Sequence, residues 1–207
     1  DLNRDKALCE SHGVDLIFTP NPNEMYHDKK AFVNIIDLSD TLCGVRRPIH
    51  FKGVCTVVAK FFNIIQPNNA YFGEKDAQQL AIIRKMVFDL NFPVHIIGVP
   101  IVRESDGLAK SSRNTYLSSE ERKAATILYK AIQEGKQAIK CGVSADTIIN
   151  TMTNIVDTEP LAKIDYISVV DANTMQPVQE ITSPVLVAMA VYIGSTRLID
   201  NFSFDTK

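Results

Sequence analysis

Apolar residues recur along this chain with two periods, and the period changes from one stretch to the next. Residues 4–11 read as the tail of a helix stopped by Gly13, a usual residue just past a helix end. Residues 14–18 form a short apolar run of strand type, and 31–36 a second. Between them, 19–28 holds two prolines and three Asn or Asp residues and predicts a loop. Over 51–65, Val54, Val57, Val58, Phe61 and Ile65 fall at i, i+3, i+4, i+7 and i+11, one face of a helix that Pro67 ends. Residues 70–72 predict a strand, and Gly73-Glu74-Lys75-Asp76 turns out of it. Asp76 is placed to cap a helix over 77–90, where Leu80, Ile83 and Val87 repeat at helical spacing. Residues 94–99 are again of strand type.

Strand, helix, strand, helix, strand is the grammar of a parallel sheet covered by helices. After Pro100 it changes. Residues 102–117 are polar and rich in turn formers. Ser118-Ser119-Glu120-Glu121 is a capping box that opens a long helix ending near Cys141-Gly142, and 144–156 is a second helix. Three strands follow, at 164–170, 185–191 and 196–201. The expected class is α/β: a parallel-sheet domain over 1–100 and a smaller α+β domain over 101–207.

Composition narrows this picture. The 207 residues carry 22 basic and 24 acidic side chains, a net charge of −2, which argues against a nucleic-acid or anionic-membrane surface. No apolar run approaches the length of a membrane span. The first six residues are no signal peptide. They also lack an initiator Met, so the chain is expected to begin inside a longer one. Cys9, Cys43, Cys55 and Cys141 form no C-x-x-C pair, and the four histidines are scattered. Their spacing supports neither a metal site nor a disulfide scaffold, and reduced thiols in a cytoplasmic protein are expected.

Three segments carry candidate chemistry. Tyr71-Phe72-Gly73-Glu74-Lys75-Asp76 lies where a strand ends and a helix begins, the place where open α/β sheets bind ligands. Free helix N–H groups and Lys75 suit a phosphate, Gly73 permits close approach, and Asp76 suits a ribose hydroxyl. An ordinary strand–helix turn with a surface ion pair fits these residues as well. In Asp106-Gly107-Leu108-Ala109-Lys110-Ser111-Ser112-Arg113-Asn114, two hydroxyls, a Lys and an Arg crowd into a loop, matching polyphosphate oxygens or a solvated linker. Arg46-Arg47-Pro48-Ile49-His50-Phe51-Lys52-Gly53 is basic and could be a second anion site, although a histidine such as His50 more often serves structure. Phe72 with Val54, Val57 and Val58 reads first as core.

Together these stretches resemble the pantothenate synthetase (pantoate–β-alanine ligase) family. The resemblance rests on Arg47-Pro48-Ile49-His50-Phe51-Lys52-Gly53-Val54, on Phe72-Gly73-Glu74-Lys75-Asp76-Ala77-Gln78-Gln79-Leu80, on Gly98-Val99-Pro100-Ile101-Val102-Arg103 and on 106–118, in family order and at family spacing. It implies a Rossmann-like nucleotidyltransferase domain with a smaller C-terminal lid. It also implies a reaction in which ATP and pantoate give pantoyl adenylate and pyrophosphate, and β-alanine then releases AMP to give pantothenate. By resemblance, Gly73, Glu74, Lys75 and Asp76 bind ATP, Val102 touches adenine, and Lys110, Ser111, Ser112 and Arg113 form the counterpart of the mobile KMSKS loop of class I synthetases. Gln79 binds pantoate, with Val54, Val57, Val58 and Phe72 as an apolar wall and His50 beside it. Lys75 and Arg113 are the expected catalytic cations, Mg²⁺ the expected ion on the phosphates, and a cytoplasmic homodimer the expected assembly. The family's Met-Gly-Ala-Leu-His-x-Gly-His stretch, whose histidines contact the ATP phosphates, has no counterpart in these residues, so the 207-residue chain alone is expected to be inert. Another nucleotidyltransferase of the same fold and a non-catalytic nucleotide-binding fragment are the rival readings.

Overall fold

The structure, a computed structural model, describes residues 1–206. The chain divides into two compact units, one of residues 1–32 and one of the remainder. The first unit begins with α1 (Leu2–Ser11), capped by Asp1, whose carboxylate accepts from the N–H of Asn3 at 3.0 Å and of Arg4 at 3.2 Å. Gly13 closes the far end at φ +74°, a conformation glycine adopts without strain. Its N–H and that of Val14 reach back to the carbonyls of Glu10 and Cys9. The expected strand at 14–18 does not form. A strand needs a ladder partner, and none of the described residues pairs with it. Within the expected loop, α2 (Pro22–Met25) makes one turn, with the Glu24 carboxylate accepting the Asn21 N–H at 2.7 Å.

The expected β run at 31–36 is also irregular. Val33 donates its N–H to the Thr56 hydroxyl at 3.0 Å, so a side chain takes the place of a neighbouring strand. The single turn α3 (Cys43–Arg46) leads to α4 (His50–Ile65), which ends on Gln66 in a left-handed conformation just before Pro67. Its buried seam runs through Phe51, Cys55, Val58, Ala59 and Phe62. The seam is rotated from the expected stripe: Val54 and Val57 lie on its flank and Ile65 is exposed. Phe51 and Phe62 set the rotation because each hides far more apolar area than a valine.

The strands β1 (Asn69–Gly73) and β2 (His95–Val99) pair in parallel, with α5 (Ala77–Asp89) as the crossover. Asp76 holds the N-cap position of α5, but its carboxylate makes no cap hydrogen bond; it lines the cavity described below instead. The long helix expected from 118 to 141 is two helices, α6 (Ser119–Ala124) and α7 (Ile127–Ala138). The Thr126 hydroxyl (2.8 Å) and N–H (3.2 Å) both donate to the Lys123 carbonyl, tightening the turn that separates them. The capping box at Ser118 and Glu121 forms as expected. The remaining helix, α8 (Ala145–Val156), is capped by the Ser144 hydroxyl and precedes an antiparallel meander of β3 (Ala162–Asp171), β4 (Val185–Ile193) and β5 (Thr196–Phe204).

That meander is apolar on both faces. Val185, Val187, Met189, Val191 and Ile193 of β4 join a core with α7 and α8, while Leu186 and Ala188 join the core built by α4, α5 and β1. A strand covered on both sides has no polar alternation to show, which is why 185–191 reads as an unbroken apolar run. The fold is α/β: a two-stranded parallel pair with its helices, and a three-stranded antiparallel sheet with its own.

Candidate active site

A cavity of about 230 Å³ opens between the two layers of the second unit. Four stretches supply most of its polar lining: Arg47 and His50 before and at the start of α4, Lys75, Asp76, Gln78 and Gln79 after β1, Ser111 to Arg113, and Arg197, Asp200 and Asn201 on β5. Leu42, Phe51, Leu186, Met189 and Ile199 make its apolar wall.

The turn Glu74–Asp76 is a single 3₁₀ turn whose shape is held from across the chain. Asn201 donates its side-chain amide to the carbonyls of Glu74 (3.0 Å) and Lys75 (2.9 Å). Burial holds the Lys75 ammonium below the ordinary lysine value, and the Arg113 charge adds to this against the opposing pull of Asp76 and Asp200.

The segment bearing Ser111 to Arg113 leaves a short hairpin in which Arg103 pairs with Ala109. Its bend is Gly107 at φ +92°, with the Tyr129 ring packed where a β-carbon would stand. The Ser111 hydroxyl accepts the Arg113 N–H at 3.2 Å, and the Arg113 guanidinium donates to the Arg197 carbonyl at 3.3 Å.

The Arg47 guanidinium lies 3.3 Å from His50 Nε2. Arginine has no acceptor, so Nε2 accepts, the ring proton sits on Nδ1 and the imidazole is neutral. Burial pushes the His50 pKa below 6.5, helped by Arg47 and Arg113 and opposed by Asp76. Arg47, Lys75 and Arg113 form no ion pair among the described residues, whereas Arg197 is bound to Asp165 at 2.8 Å and Asp200 to Arg103 at 2.7 Å. Asp165 sits where the β3–β4 register slips, and this slip turns its carboxylate toward both Arg197 and Arg46 (2.9 Å). Three unpaired cations around one cavity make a cradle for a multiply charged anion.

The structure brings Lys75, Asp76, Gln79, Ser111, Ser112, Arg113 and His50 to this cavity. It leaves the other expected residues outside the lining. Gly73 precedes the turn, Glu74 faces a neighbouring groove, and Val102 and Lys110 are exposed. Val54, Val57 and Val58 go into the core or its flank because the α4 seam is rotated, and Phe72 of β1 packs against the same core. Sequence reasoning missed Gln78, Tyr166, Arg197, Asp200 and Asn201. One signal was available: Asp200-Asn201 interrupts an apolar strand, and polar residues are buried there only when partnered.

Comparison with known proteins completes the description. A family model described as pantoate-beta-alanine ligase matches residues 1–203. A pantothenate synthetase of Clostridium botulinum (strain Loch Maree / Type A3) is 58% identical over 206 residues, covering 99% of this chain and 73% of that protein. The crystal structure of pantothenate synthetase from Thermus thermophilus superposes with a TM-score of 0.92 at 43% identity, covering 98% of this chain and 74% of that one. The pantoate-beta-alanine ligase of Francisella tularensis, complexed with beta-gamma ATP and beta-alanine, superposes with a TM-score of 0.76 at 31% identity, covering 98% and 69%. The chain belongs to the pantoate–β-alanine ligase family.

Proposed function

We propose that the protein to which these 207 residues belong carries out the ATP-dependent condensation of pantoate with β-alanine through pantoyl adenylate. The observation that carries the reading is the cradle of Arg47, Lys75 and Arg113 beside Gln79 and an apolar wall, in a chain of this family. A pantoate carboxylate oxygen attacks the α-phosphorus of ATP, and the bond to pyrophosphate breaks. The β-alanine nitrogen then attacks the acyl carbon, and AMP leaves with the electrons of the carbon–oxygen bond.

Lys75 and Arg113 stabilise the charge that builds on the phosphates. The turn 73–76, Val102 and 110–113 bind ATP, the last as a KMSKS-like loop. Closure of that loop keeps water from the acyl adenylate. Gln79 and His50 hold pantoate against Leu42, Phe51 and Met189, with Val54, Val57, Val58 and Phe72 supporting that wall from behind. Asp76 is the carboxylate at the cavity that no arginine engages. One carboxylate with phosphate oxygens suits Mg²⁺, so Asp76 would hold an ion arriving with ATP, and that ion would neutralise phosphate charge.

We further propose a domain boundary near residue 100, a cytoplasmic homodimer, and no turnover by the 207 residues alone. No helix of the described residues is long and apolar enough to cross a membrane. The deciding assay follows AMP release by the full-length protein. AMP should appear only with both pantoate and β-alanine; pyrophosphate release without AMP, driven by pantetheine phosphate or nicotinate mononucleotide, would instead establish the rival nucleotidyltransferase reading. The same assay on the 207-residue chain should stay at background, and light scattering of the full-length protein should give twice the chain mass.

A further inference from the structure

Asn201 is a buried polar residue on β5, 7% exposed, and its side-chain amide hydrogen-bonds the backbone of the turn that bears Lys75. Both protons of its amide are spent on consecutive carbonyls, those of Glu74 and Lys75. Its own N–H donates to Asp200 Oδ1 at 2.8 Å. The Asp200 carboxylate in turn takes a two-pronged ion pair from Arg103, at 2.7 and 2.9 Å, and Arg103 Nη1 also donates to the Gly107 carbonyl at 3.0 Å. The chain of contacts therefore runs from the bend of the 103–109 hairpin, through Arg103 and Asp200, to Asn201 and the turn that bears Lys75. Ser111 to Arg113 leave that hairpin directly, and the Arg113 guanidinium is itself tied to β5 at Arg197.

Two segments with cations in the cavity thus share one mechanical reference, strand β5. We infer that Asn201 is a positioning residue that sets Lys75 in register with Arg113, through a brace of Arg103, Asp200 and Asn201. This rests on the reading of the cavity as the adenylation site. Its physical basis is the tolerance of electrostatic catalysis, where an ångström of misplacement is felt at the transition state more than in ground-state binding. An amide is required because both partners are acceptors. A carboxylate of the same shape at this place would face two carbonyl oxygens without a proton to give.

Two measurements on the full-length protein test the brace. In pantoate-dependent exchange of pyrophosphate with ATP, Asn201→Ala and Asn201→Asp should each lower kcat by about thirtyfold, with KM for pantoate changed less than about threefold. In a Lys75→Ala background, Asn201→Ala should lower exchange by less than about threefold more, because residues acting as one unit fail together. Independent, multiplying losses would assign Asn201 a merely structural role and overturn the inference. Amide hydrogen exchange gives a readout that needs no activity: Asn201→Ala should speed exchange across residues 74–78 at least about tenfold, while Lys75→Ala should not. Unchanged protection there would overturn the brace whatever the enzyme does. Absence of exchange activity in the wild type would instead count against the adenylation reading.

Discussion

At the scale of single residues, adjacent glutamines do different work. Gln78 is buried: its amide oxygen accepts the Cys43 N–H at 3.0 Å, and its nitrogen donates to the carbonyls of Leu38 (2.9 Å) and Thr41 (2.8 Å). It pins a segment that has little regular structure of its own. Gln79, one position on, faces the cavity. Gln78→Leu should therefore cost about 3 kcal/mol of unfolding free energy in urea, since buried groups lose their partners. Gln79→Ala should leave that free energy nearly unchanged and raise KM for pantoate well above any change for ATP. Lys75→Ala and Arg113→Ala should each slow pyrophosphate release by roughly a hundredfold, the usual loss for one preorganised contact, with the fold intact by circular dichroism. His50 gives a pH test. Its folded pKa lies below 6.5, so the folded state binds the proton less tightly than the unfolded chain. Stability then climbs with pH from the lowered value to 6.5 and is flat above it. Arg47→Met removes the second cause of that shift. The His50 ring should titrate higher by NMR, still under 6.5 because burial remains, and a fall would refute the assignment.

At the scale of elements, α7 and α8 meet at Gly135. A β-carbon there would press on Met152 Sδ and Cγ and on the Phe202 ring. Helix propensity favours Gly135→Ala by about 1 kcal/mol. Overpacking a closed core typically costs about 1–3 kcal/mol, so we expect a net loss of about 1 kcal/mol in chemical denaturation, relieved by Met152→Ala in the same chain. The balance of local and tertiary forces also explains which elements could be read from sequence. The helix 144–156, the strand–turn–helix around Lys75 and the three strands of the meander were legible because caps, turns and apolar runs agreed. The runs 14–18 and 31–36 misled because β propensity says nothing about whether a partner strand exists. The rotation of α4 and the break at Thr126 were hidden for a related reason. The first is set by which large side chain wins its neighbours, and the second by the Thr126 hydroxyl and N–H turning onto the Lys123 carbonyl; a period alone shows neither. In the site, Lys75 and Arg113 were legible through their motifs, whereas Arg197 and Asn201 reach the cavity only through the register of β5.

At the scale of the whole molecule, β4 belongs to two cores at once, so neither layer of the second unit can lose it alone. Leu186→Ala on one face and Met189→Ala on the other should each cost about 2–5 kcal/mol and shift the same thermal transition. Fluorescence and circular dichroism should trace coincident curves in both variants, and two separate transitions would show that the layers unfold independently.

The shared strand also has a consequence on the ribosome. The helices α4 and α5 leave the exit tunnel early, yet their core closes only with Val170, Met175, Leu186 and Ala188, residues made about a hundred positions later. At roughly 10 residues per second, the apolar seams of Phe51, Phe62, Ile83 and Met86 wait on the order of ten seconds for their cover. Through that interval these seams lack their cover, so depleting holding chaperones should lower the soluble yield of this protein. Slower codons between residues 90 and 170 would lengthen the exposure and lower the soluble yield, with no change in the finished sequence.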